Sequence, residues 1–115
     1  MAEKHYNLDY LQSISGGDED FVKDMLMTFI TNVPEELGKI RNLVADKNWQ
    51  KVGENAHKFA SSLLLLKLED LKTITTQIEK YGLEMKNLDQ IPDLLGSLEN
   101  GCFELIAELK RDFNV

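Results

Sequence analysis

The residues WQKVGENAHKFASSLLLL, from Trp49 to Leu66, carry a clear helical pattern. When residues are placed at about 100° per step, the apolar ones collect on one side of a helix. These residues are Val52, Ala56, Phe59, Leu63 and Leu66. His57 falls on the opposite side, where Gly53 and Ser61 lie one turn before it and one turn after it. The pattern therefore predicts an amphipathic helix whose histidine is accessible to a partner.

Similar helical spacing continues on both sides of this stretch. Leu8, Leu11 and Ile14 predict a short helix closed by Ser15-Gly16-Gly17. Asp18 is a suitable N-cap for a long helix that bends at Pro34 and continues to about Ala45, because the apolar spacing resumes after the proline. That helix carries its apolar residues on or near one stripe: Phe21, Met25, Phe29, Val33, Leu37, Ile40 and Val44.

Short connections join the remaining helices. Asn48 can cap the His57 helix, which we extend to about Leu66, and the next helix is predicted over 69–81 with Gly82 as its stop. After a loop at 85–90, Pro92 opens a last helix that ends at about Phe113. Its apolar face comprises Leu94, Leu95, Leu98, Phe103, Ile106 and Leu109.

Four long helices with short loops predict an all-α fold, an up-down-up-down antiparallel four-helix bundle with a short N-terminal lid helix. No alternating apolar pattern with a hairpin signal predicts a strand. The chain has 115 residues, of which 43% are hydrophobic. This length and composition suit a single domain over residues 1–115.

Composition excludes several classes of function. The net charge of −7 opposes binding to a phosphate backbone, so we expect no nucleic-acid partner. The lone Cys102 cannot form an internal disulfide and is expected in the core. No stretch reaches the ~20 apolar residues of a membrane span, and no apolar secretory segment occurs near Met1. We expect a cytoplasmic protein without a membrane partner, and the start methionine favours a stand-alone protein over a piece of a hybrid kinase.

The chemistry available to this chain centres on His57. An exposed imidazole is largely neutral near physiological pH, and in this form it can accept a phosphoryl group without a general base. The sequence has no glycine-rich phosphate loop, so we expect no autonomous kinase activity. Its carboxylates form no ligand cluster, and we predict no metal site and no cofactor. Ser61 and Ser62 lack the third group of a catalytic triad, and His5 lies in a tail without a matching motif.

The run His57-Lys58-Phe59-Ala60-Ser61-Ser62, followed by Leu66, resembles the signature of histidine-containing phosphotransfer (HPt) domains, which reads roughly His-x-Leu-Lys-Gly/Ser-Ser and then Leu-Gly. The pattern of matching residues covers about residues 6–82, whereas the last helix resembles the family only in being an amphipathic helix. It implies that His57 is the phosphoacceptor. It further implies that the partner is a response-regulator receiver domain or a hybrid sensor histidine kinase, and that the receiver supplies the aspartyl phosphate and Mg²⁺.

Two positions depart from the HPt pattern. Ala60 stands where the family commonly has lysine, and Lys67 stands where it commonly has glycine. A cation near the phosphoryl group would stabilise the transition state, so the absence of that lysine is expected to slow transfer. Lys67 would lie on the flank of Ala60 if the helix continued that far, and it would supply positive potential there. Lys58 can swing toward the phosphoryl group on its flexible stem and receives a supporting role.

The surface around His57 is predicted to receive the partner. Gly53 and Ser61 would give clearance for the receiver domain, although both are also ordinary small residues. Leu64 is open to two interpretations, docking or packing at the edge of the core. Further apolar candidates for docking are Leu8, Leu11 and Leu68.

The main hypothesis is a phosphorelay protein that carries a phosphoryl group on His57 between receiver-domain aspartates in two-component signalling. We expect a monomer. The alternative is a degenerate module that binds receiver domains without transferring phosphate, as Ala60 and Lys67 suggest. A generic helical interaction protein without a receiver partner is the third reading.

Overall fold

The computed structural model of the chain describes residues 6–114, so His5, for which no role is predicted, lies outside the described residues. The helices are α1 Asp9–Ser15, α2 Glu19–Ala45, α3 Trp49–Leu64, α4 Glu69–Glu84 and α5 Ile91–Phe113, with a short 3₁₀ turn Leu88–Gln90 before α5. No strand occurs between residues 6 and 114. The all-α class is confirmed.

The four long helices form a helical bundle. Helix α2 packs against α3 and α5, and α4 packs against the same two helices from the other side. Helices α3 and α4 run antiparallel, because Gly53 meets Leu83 while His57, further along α3, meets Glu79. One core lies between the helices, and its fully buried large side chains include Leu26, Leu37, Ile40, Phe59, Leu63, Leu66, Ile78, Ile91, Leu95, Leu98 and Leu105.

The predicted helix starts are confirmed by their capping bonds. The backbone amide of Phe21 donates to Asp18 Oδ1 at 3.2 Å, and the amide of Lys51 donates to Asn48 Oδ1 at 3.5 Å. Each side-chain oxygen satisfies an amide that has no partner within its own helix. The capping signals therefore fix the beginnings of α2 and α3.

Three helices, α2, α3 and α4, end in the same pair of backbone hydrogen bonds, with a residue other than glycine in the left-handed region. These residues are Lys47, Lys67 and Met85, whose φ angles are 57°, 52° and 55°. After α3, the amide of Lys67 donates to the Leu64 carbonyl at 3.2 Å and the amide of Leu68 donates to the Leu63 carbonyl at 3.1 Å. This is the Schellman pattern, which favours glycine at the left-handed position. This turn explains why HPt domains commonly have glycine at the position of Lys67, because glycine adopts the left-handed conformation at little cost.

Helix α4 is longer than predicted. Gly82 does not stop it, since the helix continues to Glu84 and its left-handed cap is Met85. Gly82 is buried inside the helix, against α3. The prediction was wrong because glycine serves both as a helix stop and as a point of close helix contact, and the sequence does not distinguish the two.

Several apolar residues differ from their predicted environment. Phe21 and Phe103 were placed on core faces, but both side chains are exposed. Cys102 is buried in the core as predicted, and burial raises the pKa of its thiol to about 12.

The N-terminal segment is fastened to one end of the bundle. The Tyr6 hydroxyl donates to Asp112 Oδ2 at 2.7 Å, and the Asn7 amide donates to the Leu66 carbonyl at 2.9 Å. Helix α1 follows and packs against α2, with Leu11 buried. None of the helices in the described part of the chain has both the length and the apolar character that crossing a membrane requires.

Candidate functional site

His57 lies in the middle of α3 with 76% of its side chain exposed. Its neighbours Ala56 and Phe59 are buried in the core. The amphipathic pattern thus places the imidazole on the solvent side of a helix that the core holds in place. An approaching protein has direct access to the ring.

Glu79 of α4 is the partner of this histidine. His57 Nδ1 and Glu79 Oε1 form a hydrogen bond between the two helices, and the Glu79 side chain is only 22% exposed. A carboxylate is solely an acceptor, so Nδ1 must be the donor and carry the proton. A neutral imidazole with its proton on Nδ1 keeps the lone pair on Nε2. The contact therefore directs the nucleophilic nitrogen away from Glu79.

Sequence reasoning missed Glu79, although a signal for it exists. Antiparallel helices joined by a short turn bring together residues at equal distances from that turn. His57 lies eleven residues before Leu68 and Glu79 lies eleven residues after it. Pairing α3 with α4 in this way would have found the carboxylate.

The backbones of α3 and α4 approach closely beside the histidine, at Gly53 and Gly82. A Cβ atom on Gly82 would lie 2.8 Å from the Trp49 carbonyl oxygen and 3.0 Å from the Gly53 nitrogen. A Cβ on Gly53 would lie 2.7 Å from Leu83 Cγ. Gly53 is therefore buried under α4, and its predicted role as clearance for a partner was wrong. It provides clearance for a neighbouring helix instead.

The two serines after His57 have different surroundings. Ser61 is exposed, and its hydroxyl donates to the Lys58 carbonyl at 2.7 Å. Ser62 is partly buried close to the carboxyl of Glu36 in α2. Burial raises the pKa of Glu36, and the Ser62 hydroxyl and the charge of Lys39 partly oppose that rise.

The cations near the histidine are fewer than predicted. Lys58 is exposed and directly follows His57. Ala60 is partly buried. Lys67 lies in the turn after α3 rather than on the flank of the helix, so its predicted contribution of positive potential beside Ala60 was wrong. The chain turns away before it reaches that position.

Two exposed leucines lie on the helices that form the site. Leu64 at the end of α3 is 46% exposed, and Leu83 of α4, which covers Gly53, is 42% exposed. For Leu64, exposure rather than packing at the core edge is observed. Leu68 and Leu11 are buried, so neither presents a docking surface and both predictions were wrong. Leu8 is partly buried against the core.

The described residues offer no metal centre of their own, since between residues 6 and 114 no group of three or more histidine, cysteine, aspartate or glutamate side chains converges. The site thus consists of an exposed imidazole, an orienting carboxylate, one adjacent lysine and two apolar side chains. In this set the imidazole is the available nucleophile, and the carboxylate fixes the proton on Nδ1.

Comparison with known proteins shows to which family the chain belongs. The sequence matches the Hpt domain family over residues 24–111, a range that includes His57, Glu79 and both close-contact glycines. No curated protein and no solved structure matches the chain. Because the match spans most of the chain, the resemblance seen in the His57 run is confirmed. The chain belongs to the Hpt domain family.

Proposed function

We propose that this protein carries a phosphoryl group on His57 between the aspartates of receiver domains. Membership of the Hpt domain family implies histidine phosphotransfer in phosphorelay signalling, by a phosphocarrier rather than an enzyme. The observation that supports His57 as the carrier is its exposed ring, whose Nδ1 is held by Glu79. The other histidine, His5, lies outside the described residues.

The transfer step follows from the tautomer. The Nε2 lone pair attacks phosphorus in the partner's aspartyl phosphate, the Nε2–P bond forms, and the P–O bond breaks with its electron pair going to the aspartate. The ring gains a positive charge and keeps its proton on Nδ1. The Glu79 carboxylate, already bonded to that proton, would stabilise this charge without rearrangement. In the reverse direction the neutral imidazole departs and the aspartyl phosphate forms again.

The proposed partner is a receiver domain, either of a response regulator or of a hybrid sensor histidine kinase in the cytoplasm. It would supply the phosphoryl group and the Mg²⁺ that neutralises charge in phosphoryl transfer. Leu64 and Leu83 are the proposed apolar contacts, since exposed apolar side chains beside a reactive group suit an interface. Apolar contacts of this kind allow docking on an acidic partner, because they do not add to the repulsion that arises from a net charge of −7. We expect the protein to act as a monomer.

The deciding experiment is transfer of labelled phosphate from a panel of phosphorylated receiver domains. We expect label on the wild type and on His5→Gln, and none on His57→Gln. The label should be acid-labile and base-stable, as a phosphohistidine is. If His57→Gln accepted label as well as the wild type does, the proposal would be overturned.

The same panel tests the alternative of a degenerate docking module, which the alanine at position 60 favours. Receiver binding without any label on the wild type would support that alternative. Ala60→Lys then supplies the cation that HPt domains commonly have there. A large gain in transfer rate at unchanged affinity would identify a phosphorelay protein whose transfer has become slow. If the protein bound no receiver at all, a generic helical interaction module would be favoured.

A further inference from the structure

We infer that Gly53 and Gly82 are positioning residues for the phosphotransfer site, which act by holding α4 close enough to α3 for Glu79 to bond His57 Nδ1. The inference rests on the proposed function, because it concerns the nitrogen that attacks phosphorus. Both glycines lie away from the ring itself. Their effect on the reaction would pass through the distance between two helices.

The first observation is where the helices touch. The three atoms nearest to a Cβ on Gly82 would all be backbone atoms, with the Trp49 carbonyl oxygen at 2.8 Å, the Gly53 nitrogen at 3.0 Å and Gly53 Cα at 3.2 Å. Backbone atoms of a helix cannot move aside individually as a side chain can. An alanine at position 82 would therefore push the two helices apart.

The second observation is that the Gly53 contact includes the backbone of Glu79 itself. A Cβ on Gly53 would lie 3.0 Å from the Glu79 carbonyl oxygen, besides its contacts with Leu83 Cγ and Cδ2 at 2.7 and 2.8 Å. Gly53 precedes His57 by one helical turn. A close contact of the two helices thus lies one helical turn from the residue pair that forms the hydrogen bond.

The third observation is that the chain has other helical glycines without such a contact. A Cβ on Gly38 of α2 or on Gly96 of α5 would find no atom within 4 Å. Alanine is the better helix former, so replacing these glycines is not expected to weaken the bundle. Gly38 and Gly96 are therefore matched controls for Gly53 and Gly82.

The consequence for the site is a change of tautomer. If the helices separate, the Glu79 carboxylate no longer reaches Nδ1, and nothing holds the proton there. The proton can then occupy Nε2, which is the more common arrangement of a free imidazole and blocks the nucleophile. We expect transfer to fall about tenfold to hundredfold, the scale seen when a metal-binding histidine loses the carboxylate that orients it.

The test measures the tautomer directly, by ¹⁵N NMR of the His57 ring in the unphosphorylated protein. The wild type, Gly38→Ala and Gly96→Ala should hold the proton on Nδ1. Gly82→Ala and Gly53→Ala should shift it toward Nε2 while circular dichroism still reports a helical fold. A folded Gly82→Ala with the wild-type tautomer would overturn the inference.

Glu79→Asp keeps the inference testable if Gly82→Ala does not fold. It withdraws the carboxylate by one methylene and leaves both glycines and the helix contact intact. We expect the same shift of the proton toward Nε2, and an unchanged tautomer would show that helix spacing is not critical. The two proposals can fail separately. If Gly82→Ala shifts the tautomer but the wild type accepts no label, the proposed function is wrong while the positioning role of the glycines stands.

Discussion

His57 and Glu79 lie on different helices and share one hydrogen bond, through Nδ1 of the imidazole and Oε1 of the carboxylate. The ring is mostly exposed, whereas the carboxylate is mostly covered. This difference in burial matters, because a covered carboxylate has little choice of partner and an exposed ring has access to another protein. The pair therefore combines a fixed proton on Nδ1 with a free Nε2.

Removing the carboxylate of Glu79 tests its role in transfer. We expect Glu79→Ala to lower the rate of transfer from a phosphorylated receiver by about tenfold to hundredfold. Affinity for the receiver should change little, since the Glu79 side chain is largely covered. Single-turnover transfer kinetics, with receiver affinity measured separately, check this expectation. A rate equal to that of the wild type would contradict it.

Leu64 tests the proposed docking surface, with Phe103 as its control. The two side chains are similarly exposed, at 46% and 48%, but Phe103 lies on α5 and Leu64 at the end of the histidine helix. We expect Leu64→Glu to weaken receiver binding by about 1–2 kcal/mol, the scale of a single apolar contact of an interface. Phe103→Glu should leave it unchanged. Titration with a receiver domain measures both, and an equal loss for both variants would place the interface elsewhere.

Lys67→Gly tests the turn after α3. Lys67 has a φ of 52°, a conformation that costs a side-chain-bearing residue energy and costs glycine little. We expect the free energy of unfolding to rise by about 1 kcal/mol. Lys58→Gly, inside α3, should instead lower it by about the same amount. Urea denaturation measures both variants.

The same Lys67→Gly variant separates stability from transfer. Because Lys67 lies in a turn beyond the helix, losing its charge should not change the transfer rate. A rate that falls severalfold would show that this lysine supplies positive potential to the phosphoryl group after all.

Glu36 gives an expectation for pH dependence. Burial raises the pKa of its carboxyl above the ordinary value, so the folded protein holds that proton more tightly than the unfolded chain. Its contribution to stability is thus complete below the ordinary carboxyl pKa and is lost as the pH rises through the raised value. Glu36→Gln removes the charge, and we expect a melting temperature a few degrees higher than that of the wild type at pH 7.

The advantage of Glu36→Gln should shrink as the pH falls toward 4, where the wild-type carboxyl is itself protonated. Ser62→Ala is the matched control, because it removes the hydroxyl that lowers the pKa of Glu36. It should lower the melting temperature at pH 7 more than at pH 4. Thermal unfolding followed by circular dichroism at both pH values checks both variants, and a pH-independent effect of Glu36→Gln would refute the argument.

Local sequence was sufficient for the helices and for the exposure of His57. Helical periodicity depends on neighbouring residues along one chain segment, and so does capping by Asp18 and Asn48. The predicted helix stop at Gly82 was wrong. Glycine is common just after a helix, yet Gly82 lies within α4, where its lack of a side chain allows close contact with Trp49 of α3.

Patterns along the chain were enough to establish the all-α class, the amphipathic helix that exposes His57, and the family to which the chain belongs. The bond between Glu79 and the imidazole and the cover of Gly53 by α4 became known from the packed helices alone. The same holds for the position of Lys67 in the turn after α3. Periodicity and caps depend on residues a few positions apart, whereas the partner of a side chain on another helix depends on how closely and in which register the two helices pack.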